Sequence, residues 1–354
     1  MLNYGNDNSS ALEAKFKAQK IAFAPIMFQA ARALRNLGIL ELLMKERKGL
    51  KTEEIASRLQ LSIYGVKVLL EAGLSLEVVR VQDDLWLLTK TGYFLQYDAL
   101  TRVNMDFTHD VNYQGMFHLE ESIKEGKPEG LKVFGGWDTV YEGLFQLPDE
   151  ALKSWLAFDH FYSDFAFPEL MPIVFRNKPA RIMDVGGNTG KFALECATFD
   201  PEVKVTIVDL PGQVVKAEEA IAQKGFSSRI STFATNLLDH AAALPKGADV
   251  IWMSQFLDCF SQADVLSLLK RAKEAMQPAS RLFILETYWD KQEFEASTYS
   301  LHATSLYFTC IANGCSQMYH SGDLLKLIAE AGLEVDESFE NIGVSHTLLT
   351  CKIK

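Results

Sequence analysis

From residue 178 onward the sequence predicts a doubly wound α/β sheet of seven strands with an antiparallel last strand, and ahead of it a mostly helical N-terminal domain. Three observations predict this. Strand-length apolar runs alternate with helix-patterned runs from Ala180 to the last residue, as a parallel sheet with crossover helices requires. A glycine-rich turn, Asp184-Val-Gly-Gly-Asn-Thr-Gly190, separates the first such run from the first helical one. The last two runs, near 333–339 and 345–353, have only Asn341-Ile-Gly343 between them, so they pair as a hairpin at an antiparallel sheet edge.

The elements follow in order. Residues 1–103 form the helical domain, where Leu34, Leu37, Ile39, Leu40, Leu42 and Leu43 make a wide apolar face at helical spacing. Thr52 and Ser62 open two short helices as N-caps. Alternating residues on either side of the polar turn Asp83-Asp84 then make a two-stranded ribbon. Helix, turn, helix and ribbon form a winged-helix pattern. A DNA reader needs several basic or amide side chains on its second helix, and this one offers Lys67 beside Glu71. A packing module that lends helices to a dimer partner suits the residues better.

Residues 104–177 read as a helical bridge. Its last stretch is dense in aromatics, among them Phe158 and Tyr162, which suit either interdomain core or the wall of an aromatic substrate's pocket. Residues 178–354 carry the sheet, with strands near 180–183, 203–208, 230–233, 249–253 and 281–286 before the hairpin, and helices starting near Pro211, Ser261 and Ser321. The stretch Ala296–Gly322 lacks Asp, Glu, Lys and Arg, yet Ser, Thr, His, Asn and Gln stud it, so a bilayer would reject it. A buried helix bordering a cavity of mixed polarity fits, which makes His302 and Tyr319 pocket candidates.

Composition narrows the functions. Hydrophobic content of 48% and charged content of 23% describe an ordinary globular chain. A net charge of −11 with no local basic patch disfavours nucleic acid as a partner. The cysteines Cys196, Cys259, Cys310, Cys315 and Cys351 form no C-x-x-C pair, which points to reduced thiols in a cytoplasmic protein and to no metal site. The first residues lack the basic and apolar runs of a signal peptide.

The glycine turn carries the chemistry. Gly186, Gly187 and Gly190 remove side chains that would hold a ligand off the backbone. A dinucleotide fingerprint would need glycines at 188 and 191, where Asn188 and Lys191 stand. The next strand ends in Asp209, placed to grip the two hydroxyls of a ribose. The competing reading is a plain turn with Asp209 capping the helix at Pro211. Loop, acid and flanking elements in this order favour a nucleoside ligand.

This pairing resembles the class I S-adenosylmethionine-dependent methyltransferases. With the helical N-domain, Val208-Asp-Leu-Pro211, the strand ending Trp252-Met-Ser254 and Ala331-Gly-Leu-Glu-Val335, the chain from about residue 20 resembles the small-molecule O-methyltransferases with a winged-helix dimerisation domain. The resemblance implies a homodimer, S-adenosylmethionine held by Asp184, the loop glycines, Asp209 and Leu210, and a small-molecule acceptor bearing an aromatic or conjugated hydroxyl. It also places Asn236 and Leu237 against the adenine, Asn236 standing where an aspartate is usual, and Ser254 where a base is frequent.

The catalytic position departs from the family. Its members carry a histidine base after the fourth strand, and counting back from the Ser261 helix puts Asp258 there; Met318 stands where the histidine's orienting glutamate belongs. A phenol near ~10 and a free aspartate near ~3.9 leave proton transfer uphill by about 8 kcal/mol, against under about 5 for histidine. Asp258 therefore serves as a base only if desolvation raises its pKa. Otherwise it positions the acceptor, or His302, His320 or Tyr319 is the base. Two further functions stay open: a cofactor-binding member with a decarboxylase- or hydroxylase-type reaction, and a DNA-binding regulator.

Overall fold

The computed structural model describes residues 7–164 and 166–354, and the side chains of residues 162–164 are not among those described. The expectation placed on Tyr162 therefore lies outside the described residues. The chain divides into two compact units at Thr108 and His109.

The first unit opens with α1 (Ala11–Asn36), started by a capping box in which Ser10 and Glu13 exchange backbone and side-chain hydrogen bonds. Gly38, at φ +80°, turns the chain into α2 (Ile39–Lys45). Next come α3 (Thr52–Leu59) and α4 (Ile63–Ser75), the latter capped by Ser62 Oγ accepting from the Gly65 N–H at 3.0 Å. Strands β1 (Val79–Gln82) and β2 (Leu85–Leu88) pair antiparallel around Asp83 and Asp84, both in the left-handed region that a two-residue hairpin demands. Leu34, Ile39, Leu40, Leu43, Ile55 and Leu70 fill the core.

Two expectations need correction here. Leu37 ends α1 exposed rather than joining the apolar face. Thr52 is not the N-cap of α3; Lys51 occupies that position, and its N–H donates to Glu54 Oε2 at 2.8 Å. The Thr52 hydroxyl is used instead as acceptor for the Trp86 indole N–H, 2.9 Å away, which ties helix to ribbon.

The second unit contains a seven-stranded sheet in the order β5-β4-β3-β6-β7-β9-β8. Its strands are β3 (Arg181–Val185), β4 (Lys204–Asp209), β5 (Ile230–Ala234), β6 (Val250–Ser254), β7 (Arg281–Glu286), β8 (Leu333–Ile342) and β9 (His346–Ile353). The five strands β3 to β7 run parallel, and β9 is antiparallel to both neighbours. The doubly wound sheet expected from the sequence is present. Its antiparallel strand is not the edge, however. The helix Ser321–Glu330 carries the chain past β7 and leaves a gap, and β9 folds back from β8 to fill it.

Strand order reverses on the two sides of β3, which opens a crevice at the carboxyl ends of β3, β4 and β6. Beneath it the sheet is closely packed. Trp252 in β6 is fully buried and stacks on Phe192 at 4.1 Å and 6°. Among the described residues no helix is long and apolar enough to cross a membrane.

Candidate active site

Glycine determines the shape of the loop after β3. Gly186 sits at φ +74°, and a Cβ there would fall 2.2 Å from the Phe256 ring; at Gly187 it would fall 2.6 Å from Asp184 Oδ2. Backbone and ring therefore meet where a ligand approaches. Asp209, at the end of β4, clamps this loop: one carboxylate oxygen accepts from the Asn188 N–H at 2.8 Å, the other from Leu210 N–H at 2.7 Å. Burial raises the Asp209 pKa, and those two donors hold it back.

The crevice deepens into a cavity of ≈ 450 Å³. Of the residues singled out by sequence, Gly186, Asp209, Leu210, Asn236, Leu237, Asp258 and Phe158 line it. Asp184, Gly187, Gly190, Ser254, His302 and Tyr319 do not. Asp184 lies beneath the loop, where burial first and the Asp209 charge second push its carboxyl up to about 8. The Ser254 hydroxyl is turned inward and buried, and Gln255, strained to φ +46°, takes the lining position after β6. Asn236 Oδ1 accepts from the Leu238 N–H at 3.0 Å, so the oxygen expected to face adenine already closes its own turn. Arg271 holds that turn through the carbonyls of Leu237, Asp239 and Ala242.

Two side chains missed by sequence reasoning complete this end. Asn188 and Gln213 line the cavity, and Asn188 Oδ1 and Gln213 Oε1 are buried without a hydrogen-bond partner among the described residues. Unpaired buried acceptors are costly until a donor reaches them. With the Asp209 carboxylate they fit a ligand rich in O–H and N–H donors, as the ribose and α-amino group of S-adenosylmethionine are.

The other end is built around Asp258, in the short turn Leu257–Cys259 after β6. Glu286, the last residue of β7, fixes this turn: its Oε1 accepts from the N–H groups of Phe256 at 3.0 Å and Leu257 at 2.8 Å. Asp258 is 5% exposed, and burial chiefly, with the Asp159 charge adding, pushes its carboxyl up to about 7; the Cys259 thiol, 3.5 Å away, opposes this. Burial and repulsion by Asp258 also hold the Glu286 pKa well up. Tyr141, Trp155 and Tyr307 form aromatic wall, with the Trp155 indole donating to the Tyr307 hydroxyl at 2.6 Å. Met318 lines the cavity as well.

The other bases considered are placed elsewhere. His302 follows Leu301 on a helix whose Leu301 and Thr304 face the cavity, and it turns outward against Trp289 at 5.0 Å. Tyr319 donates its hydroxyl to the Phe260 carbonyl at 2.5 Å, and burial raises its pKa further. His320 caps the helix Ser321–Glu330, with Nδ1 accepting from Gly322 N–H. Glu286 had a legible signal, a lone acid closing an apolar strand at the ligand-binding edge. Trp155 shared the signal of Phe158, an aromatic-dense stretch that suits core or pocket alike, and Tyr141 and Tyr307 had none, because helical aromatics serve cores as readily as pockets.

Comparison with known proteins agrees with this geometry. Residues 15–86 match the Dimerisation2-like domain, and residues 118–334 match the O-methyltransferase domain. The chain is 23% identical over 326 residues to the L-tyrosine C(3)-methyltransferase of Streptomyces lavendulae, covering 91% of this chain and 87% of that one. It is 23% identical over 271 residues to the acetylserotonin O-methyltransferase of Macaca mulatta, covering 74% and 77%. Among solved structures, the S-adenosylmethionine-dependent methyltransferase SibL superposes with a TM-score of 0.72 at 24% identity, covering 95% of this chain and 98% of that one.

Proposed function

The chain belongs to the O-methyltransferase domain family, and on that premise we propose that this S-adenosylmethionine-dependent methyltransferase methylates a hydroxyl oxygen of a small aromatic or conjugated compound, with Asp258 as the base. The observation that carries the proposal is the Asp258 carboxyl, buried in the cavity wall and pushed up to about 7. Against a phenol near ~10, that value cuts the uphill proton transfer from about 8 to about 4 kcal/mol. Desolvation thus gives an aspartate the basicity a histidine would supply.

When bound, the cofactor supplies an electrophilic methyl group on a sulfonium. Asp209, Asn188, Gly186 and Gln213 hold it, and the apolar walls exclude water. Asp258 takes the acceptor proton at a carboxylate oxygen. Glu286 keeps the Leu257–Cys259 turn in place, so the base meets the acceptor without reorganising. The first unit acts as a winged-helix dimerisation module; its Dimerisation2-like match and the apolar residues exposed along α1 support that. Free thiols at all five cysteines support a reducing, cytoplasmic setting.

The test is turnover on a verified acceptor. Asp258→Asn should lower kcat by about 10²–10⁴ with the cofactor Kd little changed. Intact turnover in Asp258→Ala would remove the base assignment. A second reading is transfer to a ring carbon beside the phenol, which the tyrosine C(3)-methyltransferase relative favours. The position of the new methyl in the product, read by NMR, decides between oxygen and carbon.

A further inference from the structure

Two described non-glycine residues on the cavity wall hold a positive φ, Asn188 at +47° and Gln255 at +46°. Asparagine enters that left-handed region more readily than most residues, because its short side chain bonds locally, whereas glutamine is strained there. Three hydrogen bonds fix the turn that strains it. The Gln255 N–H donates to the Leu285 carbonyl at 2.8 Å, and the next two N–H groups reach Glu286 Oε1. A glycine would make the same turn unstrained. Strain kept on the wall of a binding cavity points to use of the side chain that causes it.

Position says what that side chain meets. Val185 and Met253 are the last register partners of β3 and β6, so Ser254 and Gln255 run on beside the glycine loop. Ser254 keeps its hydroxyl buried, which makes Gln255 the first residue after β6 to line the cavity. Chemistry says which group it takes. The cofactor's amino-acid end carries a carboxylate, an acceptor that needs donors once it leaves water. Among the described residues no Lys, Arg or His lines the cavity. Other side-chain N–H donors of the wall are committed: Trp155 Nε1 to the Tyr307 hydroxyl, Asn188 Nδ2 to Asp159, and Asn313 Nδ2 to the Cys259 carbonyl and Ser316. Gln213 stands in the helix that starts behind Asp209, and Asn236 in the turn after β5. Beside the glycine loop, the Gln255 amide is the side-chain donor left over.

We propose that the Gln255 side-chain amide donates to the carboxylate at the methionine end of the cofactor, and so selects S-adenosylmethionine over sulfonium nucleosides that lack this group. This assignment rests on the methyl-transfer reading above. A neutral amide suits the task, because it binds the carboxylate without adding a positive charge next to the sulfonium.

Two ligands that differ only in the carboxylate test it: S-adenosylmethionine and its decarboxylated form, each titrated calorimetrically into the full-length protein. The wild-type protein should prefer S-adenosylmethionine about tenfold or more, as loss of a hydrogen bond to a charged group implies. Gln255→Glu keeps the length of the side chain but sets a carboxylate against the carboxylate, and should abolish or invert that preference. Gln255→Gly removes amide and strain together, so the preference should shrink several-fold while the Tm stays at or above the wild-type value. A preference unmoved in both variants overturns the proposal, as does a wild-type protein that binds the two forms equally. A Tm that falls in Gln255→Gly would assign the side chain to holding the turn and overturn the link between its strain and the ligand. Failure of S-adenosylmethionine itself to bind, measured first, would instead sink the methyltransferase reading.

Discussion

Asp258 and Glu286 are two buried carboxyls with different tasks, and substitutions separate them. Asp258 reacts as the carboxylate, so kcat/KM should climb as pH rises through about 7 and this limb should vanish in Asp258→Asn. Burial and the Asp258 charge raise the Glu286 carboxyl, and its contribution is the oxygen that accepts two backbone N–H groups. Glu286→Gln keeps such an oxygen and should retain activity within a few-fold. Glu286→Ala leaves both N–H groups buried and unpaired, at about 1–3 kcal/mol each, and should lower kcat and the Tm together. If the Gln variant proves as damaged as the Ala variant, the Glu286 carboxyl does more than accept those two N–H groups and the division of labour is wrong. Asp184 bears on stability instead. Its folded carboxyl is pushed up to about 8, so the folded state binds this proton more tightly than the unfolded chain does. Stability is therefore lost as pH rises from the unfolded value, about 4, to the folded one. Asp184→Asn should flatten the fall in Tm between pH 6 and 9, by several degrees at the upper end; parallel curves for the two proteins would contradict that.

At the scale of elements, the loop after β3 shows what a sequence can disclose. Its glycines, its flanking strand and helix and the acid ending β4 are contiguous, and each has a local reason to be where it is. Gly186 combines φ +74° with a Cβ position 2.2 Å from Phe256. Gly186→Ala should weaken S-adenosylhomocysteine binding at least about tenfold, a loss of about 1.4 kcal/mol. Gly212, in the first turn of Pro211–Lys224 with open space around it, is the control; Gly212→Ala should leave binding unchanged. Equal binding by both variants would remove the loop from the cofactor site. Less was legible at the acceptor end, because Tyr141, Trp155, Asp258 and Tyr307 come from four separate elements, and their meeting is a property of packing rather than of spacing. The helix Glu295–Tyr307 makes the point. The uncharged run from Ala296 suggested a buried helix bordering a cavity, with His302 on the pocket side, yet Thr298, Leu301 and Thr304 repeat every three residues on the inner face, and His302 is carried to the outer one. Charge content located the helix, and only its phase assigned the residues. The Lys51 cap was hidden for a similar reason: Thr52 looked like a cap by type, but the neighbouring Trp86 claims its hydroxyl.

For the whole molecule, the decisive feature is apolar surface on α1 that its own unit leaves open. Leu12, Phe16, Phe23 and Ile26 are each more than half exposed, Leu12 as much as 78%. They recur at intervals of four, seven and three residues, one stripe of a helix. Scattered exposed apolar residues are ordinary, whereas large ones aligned on one face of a helix mark an interface. A second copy is the economical occupant, since a two-fold interface lets the same stripe cover itself. Charge supports the same view. The net −11 opposes non-specific association, so a dimer must be held by buried apolar area, which contributes about 25 cal/mol per Å². The protein should therefore sediment as a dimer at micromolar concentration, with little dependence on salt. Phe16→Glu combined with Phe23→Glu places two carboxylates in that stripe and should shift the protein to monomer while the second unit keeps its cofactor affinity, because its loop, Asp209 and Gln213 all lie beyond residue 108. Wild-type protein that sediments as a monomer would remove α1 as the dimer surface. A double variant that remains dimeric would move the interface to another face of the chain.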